Sequence, residues 1–395
     1  MLLKIVWKNI VSKKLTSILS VLLMMLGIGI ISLVLTLGKQ LEEKFSKNVA
    51  GIDMVVGAKG SPLQLILSGV YHIDAPTGNI PMSEVENLRK NSFVMEVIPL
   101  SMGDNYQGTR IIGTTQRYLK HFNAEIQQGI TFENDLEVVI GYNVAKEQNL
   151  KIGDQFESTH GYDKEAEEHH EKKYTVKGIL KYNNSVIDNL ILCNLSSIWA
   201  LHEHEGEHES ESEHEKEVTC ALVKFRNPLG LITVPRQINQ NTVMQAALPA
   251  IEINRLFKLM GIGIDALKYL ALAIIIISGI SVFITLYNAL KERKYELALM
   301  LSMGGKRATL FLMLLLEGIF LSLTGWFLGI FMSKGGLLFA SGMLNKAYHY
   351  SFEQNLIQKE EIYLLVAALL VGIFASIIPA IGIYKINITK TLAKD

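Results

Sequence analysis

The chain has 395 residues, of which 49% are apolar and 19% charged, and its formal net charge at pH 7 is zero. This composition is too apolar for an ordinary soluble protein, and a balanced charge gives no indication of nucleic-acid binding. We therefore expect a membrane protein with membrane lipid around it and no nucleic-acid partner.

Four segments are long and apolar enough to cross the hydrocarbon core of a bilayer, which takes about 20 helical residues. We predict transmembrane helices at residues 16–38, 269–290, 308–333 and 362–384. The first apolar run is longer than the core of a signal peptide, and no small-residue cleavage site follows it directly. We therefore expect it to be a retained anchor.

Residues 1–15 precede the first span. Leu3, Trp7, Ile10 and Val11 recur there at helical spacing, with lysines between them, which is typical of an amphipathic helix in the membrane interface. Cytoplasmic segments collect Lys and Arg, and these residues flank the expected inner ends of all four spans. The prediction is a multi-pass protein of the inner, cytoplasmic membrane with both termini inside. The tail at 385–395 is then cytoplasmic, and 39–268 and 334–361 lie outside.

The large outside region, 39–268, alternates strand and helix signals. Strands are predicted at 52–56, 94–100, 109–113, 136–140, 174–179, 189–193 and 218–225. Helices are predicted at 39–48, 83–90, 142–149 and 241–260, the last merging into the second span. Ser83 and Glu86 have the spacing of a capping box. The expected fold class is an α-helical membrane protein with four transmembrane helices and a large mixed α+β extracytoplasmic domain.

Two insertions rich in His and Glu, at 160–173 and 201–217, interrupt this region. Imidazole and carboxylate groups together suit zinc, copper or nickel. The candidate metal ligands are His169, His170, His202, His204, His208 and His214. Their spacing is not that of a structural zinc site, so we expect weak zinc binding by a mobile loop. A solvated acidic linker is the alternative.

Three further residues carry predictions. Cys193 and Cys220 lie on predicted strands that flank the second insertion, and either a disulfide or two buried thiols is consistent with the sequence. Glu317 lies inside the third span, where a carboxylate is costly. No other span holds a basic residue, so we favour a hydrogen-bonded Glu317 at a contact between helices over a functional carboxylate.

No nucleotide-binding loop G-x-x-x-x-G-K-[ST] occurs, so any ATP-driven work needs a separate ATPase and the chain is not itself an enzyme. After the second span the sequence reads E-R-K-Y-E-L-A-L-M-L-S-M-G-G-K-R. The outside region contains I-G-Y-N-V-A-K-E-Q-N-L-K-I-G-D-Q-F followed by Y-T-V-K-G-I-L, and the chain closes with S-I-I-P-A-I-G-I-Y-K-I-N-I-T-K-T-L.

These motifs, with one span before the outside domain and three after it, resemble the MacB-like, FtsX-type (type VII) ABC transporter permeases. The resemblance covers nearly the whole chain, which would make the outside domain a MacB-like periplasmic core. Met300 stands where the family often has Arg, and Asn387 and Ile388 replace the usual Asp-Pro.

The resemblance implies a permease dimer, as a homodimer or paired heterodimer, with a cytoplasmic ABC ATPase that holds ATP and magnesium. It also implies that 291–307 is a coupling helix, and Tyr295, Leu299 and Met303 recur at four-residue spacing as an apolar stripe for a partner's groove. A helix that only anchors a loop is the alternative. The residues expected to act in coupling are Glu292, Arg293, Tyr295, Glu296, Leu299, Met303 and Gly304.

The expected function is the membrane subunit of an ABC transporter that turns ATP hydrolysis into movement of its outside domain. The cargo would be a lipoprotein, a peptide or a small molecule, handed over by a periplasmic binding protein or lipoprotein partner. A zinc-linked transport system that uses the His/Glu loop is one alternative. A non-transporting regulator of an extracytoplasmic enzyme, as FtsX is, is another.

Overall fold

The structure, a computed structural model, describes residues 2–161, 169–202, 216–348, 358–388 and 391. These residues form two compact units, Glu42–Lys258 on the one hand and Met1–Leu41 with Leu259–Asp395 on the other. The first is called here the outer unit and the second the membrane unit.

The helices of the described residues are α1 Leu2–Ser12, α2 Lys14–Val49, α3 Pro62–Gly69, α4 Met82–Arg89, α5 Gln116–His121, α6 Tyr142–Glu147, α7 Leu195–His202, α8 Leu229–Asn241, α9 Pro249–Glu292, α10 Lys294–Ser302, α11 Arg307–Tyr348 and α12 Lys359–Ile381. The strands are β1 Met54–Ala58, β2 Ile80–Pro81, β3 Val94–Tyr106, β4 Thr109–Thr114, β5 Ile126–Gly129, β6 Glu137–Ile140, β7 Gln155–His160, β8 His169–Leu180, β9 Ile191–Asn194, β10 Glu217–Val218, β11 Cys220–Phe225 and β12 Met244–Ala247.

Four helices of the described chain are long and apolar enough to cross a membrane. They are α2, α9, α11 and α12, the last followed by a short 3₁₀ turn, Gly382–Lys385. Together with the α+β outer unit they confirm the predicted fold class. Both α2 and α9 run well beyond the apolar stretches predicted to span, because their ends carry the alternating polar and apolar residues of an amphipathic helix. Each of these two helices contributes one end to each unit.

Small residues bring the membrane helices together. A Cβ on Gly329 of α11 would lie 2.9 Å from the Met25 carbonyl oxygen of α2, and one on Gly372 of α12 would lie 2.8 Å from the Gly318 carbonyl oxygen of α11. The Ser20 hydroxyl of α2 lies 2.8 Å from the Ser281 hydroxyl of α9. In a membrane, close packing and polar contacts such as these drive helix association, because apolar side chains gain little by leaving lipid for each other.

The outer unit is built on a ten-stranded sheet of described strands, in the order β12-β1-β11-β3-β4-β9-β6-β8-β5, with β7 pairing β3 and β8. Strand β3 joins the two halves of the sheet. Its first part, up to Leu100, pairs with β11. From Ser101 onward it pairs with β4, with a bulge between Met102 and Asp104, and beyond the bulge it also pairs with β7. The parallel pairs β4–β9 and β6–β8 stand among antiparallel ones, so the sheet is mixed.

Neighbouring residues of one strand enter different cores, as the two-residue period of a strand requires. On β1, Val55 packs in the cluster that contains Leu65, whereas Met54 and Val56 pack in the cluster that contains Val234. Helices therefore cover this part of the sheet on both faces, with α3 on one face and α8 on the other. Both faces are buried, which explains why β1 and β11 read as nearly continuous apolar runs.

Several local predictions for the outer unit were wrong. Helix α4 starts after Pro81 with no side-chain hydrogen bond at its cap, so the Ser83–Glu86 capping box does not form. The segment predicted as one helix, 241–260, contains strand β12 before α9 begins at Pro249. Helix α8 was not predicted, because its apolar spacing is weak and Pro235 lies inside it. The ends of the first insertion belong to the paired strands β7 and β8.

Of the two alternatives left open for Cys193 and Cys220, the structure has the second, since both cysteines are free and buried. Cys220 pairs with Leu100 of β3, and Cys193 pairs with Gly113 of β4, so β3 and β4 lie between the two cysteine strands. Three strand spacings amount to about 14 Å, twice the Cα separation that a disulfide allows. Burial raises the pKa of the Cys220 thiol to about 12 and also raises that of Cys193, which keeps both unreactive.

The close contact of α11 with α12 predicts that a larger residue at Gly372 lowers the stability of the protein. Gly372→Ala places a methyl group against the Gly318 carbonyl oxygen and the Ser322 hydroxyl, and overpacking of this kind costs about 1–3 kcal/mol. Gly335→Ala is the matched control on α11, because nothing lies within 4 Å of the position of its added Cβ. Thermal unfolding of the full chain in detergent should show a lower midpoint for Gly372→Ala alone. Equal midpoints for the two variants would contradict the packing.

Candidate functional site

The candidate site is helix α10, which lies between two long membrane helices. Arg293 is the only residue between the end of α9 at Glu292 and the start of α10 at Lys294. The chain still follows helical hydrogen bonding there, with the Leu297 amide donating to the Arg293 carbonyl oxygen at 2.9 Å. The segment predicted as one helix, 291–307, is thus the end of α9, a break, the short helix α10 and a turn.

Gly304 ends the helix. Its φ of 93° lies in the left-handed region, where residues with a Cβ are strained. The Gly305 amide donates to the Met300 carbonyl oxygen at 2.9 Å, and the Gly304 amide donates to the Leu301 carbonyl oxygen at 3.2 Å. These two bonds form a Schellman motif, which satisfies carbonyl groups left open at a helix end. Gly304 therefore shapes the helix end.

One face of α10 is held in the membrane unit. Leu297, Ala298 and Leu301 are buried in a cluster with Val6 of α1, and the cluster also contains residues of α9, α11 and α12. The spacing of three and four residues places these side chains on one side of the helix. Burial of each large apolar side chain contributes about 1.5–3 kcal/mol, so α10 is packed on the spans and is not a loose connection.

The opposite face of α10 is open. Tyr295 and Leu299 are 45% and 46% exposed, and Met303, just past the helix end, is 80% exposed. These are the residues predicted to form an apolar stripe, and in the structure they do lie on the face turned away from the packed side chains. Glu296 is exposed beside them. A run of large apolar side chains on an open surface is typical of a site that binds another protein.

The other two residues proposed for coupling, Glu292 and Arg293, contact the end of α1 and the residue that follows it. Lys13 approaches Glu292, with 2.6 Å between the Nζ and Oε2 atoms. The Arg293 guanidinium donates to the Ser12 hydroxyl at 2.7 Å and to the Asn9 carbonyl oxygen at 3.5 Å. The predicted coupling residues therefore divide into an open group on α10 and a pair at the break before it that contacts the end of α1.

Glu317 of α11 contacts the same region of the chain. The Asn9 side-chain amide donates to Glu317 Oε1 at 2.5 Å, and Arg293 Nη1 lies 3.9 Å from the same oxygen. The other predicted spans hold no basic residue that could be its partner. The partner comes instead from the break between α9 and α10, and the contact is between helices, as expected for a hydrogen-bonded carboxylate.

Asn9 and Ser12 were not predicted, because the sequence pattern gave α1 an apolar stripe for the membrane interface and identified no face packed on the other helices. Trp7 and Val11, which belong to that stripe, are more than a third exposed, while Val6 is buried. Asn9 follows Val6 by three residues and Ile5 by four, which places it on the packed face. A polar residue among these apolar positions was the signal that could have found the contact with Glu317.

The predicted metal ligands fall at the edge of the described chain. His169 and His170 begin β8, and His202 ends α7. His204, His208 and His214 lie outside the described residues. Within the parts of the chain that the structure describes, no group of three His, Cys, Asp or Glu side chains is placed to hold a metal ion.

Two family models match the chain. The MacB-like periplasmic core domain matches residues 17–240, and the FtsX-like permease C-terminal domain matches residues 269–388. A comparison with curated proteins finds no match.

Solved structures of outer regions are also similar. The periplasmic region of MacB from Actinobacillus actinomycetemcomitans is 12% identical over 54% of this chain and 97% of its own, with a TM-score of 0.35. The extracellular domain of the noncanonic ABC-type transporter YknZ from Gram-positive bacteria is 12% identical over 49% of this chain and 98% of its own, with a TM-score of 0.31.

TM-scores at this level do not establish a shared fold, so the assignment rests on the two family models. Together these span both the outer unit and the three helices that follow it, and the first covers more than half of the chain. The chain belongs to the family of MacB-like, FtsX-type ABC transporter permeases.

Proposed function

We propose that this permease converts ATP hydrolysis by a separate cytoplasmic ABC ATPase into movement of its outer unit. ATP and magnesium are then held by the ATPase. The permease works as a dimer, with a second copy or a paired permease. Its cargo is a lipoprotein, a peptide or a small molecule supplied by a periplasmic binding protein or lipoprotein.

The open face of α10 is the single observation that carries this proposal. Tyr295, Leu299 and Met303 are large, apolar and exposed, although the helix that bears them is packed on its other side. A helix that only anchored a loop would have no need of two apolar faces. An apolar stripe at helical spacing fits the groove of a partner protein, and the expected partner of an ABC permease is its ATPase.

Helices α2 and α9 supply a route to the outer unit, since each is continuous through the boundary between the two units. Within the outer unit their ends pack together and on the sheet. The Phe45 and Phe257 rings lie 5.6 Å apart between centroids, Phe45 also contacts Tyr71 at 4.5 Å, and Ile253 is buried in the same core. A displacement of either helix would therefore reach the sheet through packed side chains.

Charge supports an orientation with both termini in the cytoplasm. Lys291, Lys294, Lys306 and Arg307 are exposed around α10, on the same side of the spans as the lysines of α1. Cytoplasmic segments next to spans collect such residues. We infer that α10 faces the cytoplasm, where an ATPase can reach it, and that the outer unit lies outside the membrane.

One observation favours a second role, in zinc handling, for the His/Glu segments. The Lys172 ammonium, two residues past His170, donates to the Ala200 carbonyl oxygen at 2.8 Å, two residues before His202. The Trp199 indole donates to the Glu217 carbonyl oxygen at 2.7 Å, and the Lys216 ammonium lies 4.9 Å from the Trp199 ring centre. Both His-bearing segments therefore leave the outer unit close together.

The orientation is tested by cysteine labelling. Lys294→Cys in a chain with Cys193→Ala and Cys220→Ala should react with a membrane-impermeant thiol reagent only after the membrane is opened. Ile232→Cys is the outside control, because Ile232 is an exposed residue of α8 and should react in intact cells. Labelling of Lys294→Cys in intact cells would remove both the orientation and the proposed role of α10.

The role of the open face is tested with Leu299→Asp. Seating this carboxylate in an apolar groove would cost several kcal/mol, enough to weaken ATPase binding by about a thousandfold. The permease should still insert, because Leu299 is exposed in the chain itself. Co-purification and ATP turnover report the loss. Ile232→Asp is the matched control, an equally apolar exposed position on a helix of the outer unit. Normal co-purification of Leu299→Asp would leave α10 as an anchor only.

Zinc binding is tested on the full chain in detergent by titration with zinc alone. Neutral imidazole binds the metal, and His has an ordinary pKa of about 6.5, so affinity should fall steeply from about pH 7.5 to about pH 5.5. Replacement of His202, His204, His208 and His214 by Gln should remove most of the binding and leave ATPase assembly intact. Equal binding by both proteins, or no binding by either, would identify the segment as a solvated linker.

A further inference from the structure

The break before α10 is fastened by a buried carboxylate. Glu317 is 3% exposed and lies ten residues into α11, about 15 Å along the helix from Arg307. Its Oε1 atom accepts the 2.5 Å hydrogen bond from Asn9 of α1 and lies 3.9 Å from the guanidinium of Arg293. One oxygen atom thus connects α1, the α9–α10 break and α11.

Arg293 also contacts α1. The guanidinium binds the Ser12 hydroxyl, and that hydroxyl in turn donates to the Asn9 carbonyl oxygen at 2.7 Å. Next to it, Lys13 and Glu292 form a 2.6 Å ion pair across the same two segments. The end of α1 and the following Lys13 are therefore bound to the last residue of α9, Glu292, and to Arg293 at the break.

An interruption between two helices is a natural hinge. If only the backbone connected α10 to α9, a force on the open face of α10 would bend the chain at Arg293 and would not displace the other helices. The side chain of Arg293 opposes such bending, because it is bound to two other helices. A buried carboxylate is costly where leucine would fill the space, and the best-attested benefit of such a group is that it specifies one geometry.

We propose that Glu317 is a positioning residue that locks the α9–α10 break, so that a displacement of α10 is passed to α1 and α11. This inference rests on the proposed function, since it names the residues through which the movement is transmitted. Glu317 and Arg293 act as one unit with Asn9. The ATPase itself binds elsewhere, on the open face with Leu299.

The first test measures hydrogen exchange along the full permease without its ATPase. Glu317→Gln keeps an oxygen that can accept from Asn9 but removes the charge that faces Arg293. Exchange in α1 and α10 should rise by about tenfold, because local opening no longer breaks a charge-assisted contact. The rest of the chain should exchange as in the wild type. Ser322→Ala is the matched control, a buried polar residue of α11 whose hydroxyl bonds within its own helix at 2.8 Å.

The second test uses the permease–ATPase complex trapped with ATP and vanadate. In the wild type, trapping should change exchange in the outer unit, Glu42–Lys258. The Glu317→Gln complex should still assemble and hydrolyse ATP within about twofold of the wild type, while this exchange difference falls by about fivefold or more. A residue needed only for folding would lower assembly and turnover together.

Unchanged exchange in α1 and α10 of Glu317→Gln, or a full nucleotide-dependent difference in its outer unit, would overturn the inference. If Glu317→Gln does not fold, Asn9→Ala provides the same test, and it should also raise hydrogen exchange in α1 and α10. The variant with both Arg293→Met and Glu317→Gln should show no faster hydrogen exchange in α1 and α10 than the faster of the two single variants. Additive increases in exchange would contradict the claim that Arg293 and Glu317 act as one unit. If trapping with nucleotide leaves hydrogen exchange in the outer unit of the wild-type complex unchanged, the proposed function is refuted. Hydrogen exchange in α1 and α10 of the permease alone would still decide the role of Glu317.

Discussion

The packing of Leu297, Ala298 and Leu301 on the membrane helices is the constraint on which the candidate site depends. A nine-residue helix is too short to be stable alone, so its conformation comes from this burial. Once one face is buried, the three- and four-residue spacing leaves Tyr295, Leu299 and Met303 on the other. The same packing thus both stabilises α10 and presents its apolar stripe.

Polar contacts restrict the orientation of the packed helix α10. Apolar side chains fill space but tolerate small rotations, whereas the guanidinium of Arg293 has donors in a fixed plane. Its bonds to Ser12 and Asn9, and its approach to Glu317, therefore set the angle at which α10 leaves α9. Of these groups Glu317 is buried, where an unpaired charge would be costly and the paired arrangement is accordingly well defined.

The outer unit has a different kind of rigidity. Strand β3 belongs to both halves of the sheet, and helices cover the half around β1 on both faces. The end of α2 and the start of α9 join this core through Phe45, Ile253 and Phe257. Because packed cores shift between discrete arrangements more readily than they deform, a movement of either helix is expected to carry the sheet as a body.

Much of this architecture followed from the sequence alone. Four apolar runs of sufficient length determine four spanning helices, since a backbone in lipid must satisfy its own hydrogen bonds. Alternating Val and Ile between turn residues determined most central strands of the outer unit, and the four-residue spacing of Tyr295, Leu299 and Met303 identified the open stripe. These are local patterns, for which the period of the backbone is sufficient.

The tertiary structure decided what local periods cannot express. Cys193 and Cys220 lie near each other in the order of predicted strands, but the sheet inserts β3 and β4 between them, because strand order is set by the whole chain. The face of α1 that packs on the other helices was not predicted, since several faces of a short helix can look equally amphipathic until a neighbour covers one. The partner of Glu317 is Arg293, which lies between two spans, about 24 residues earlier in the chain, at a helix break that no sequence periodicity indicates. Which groups meet depends on how the helices pack, and packing is a property of surfaces that are distant in sequence.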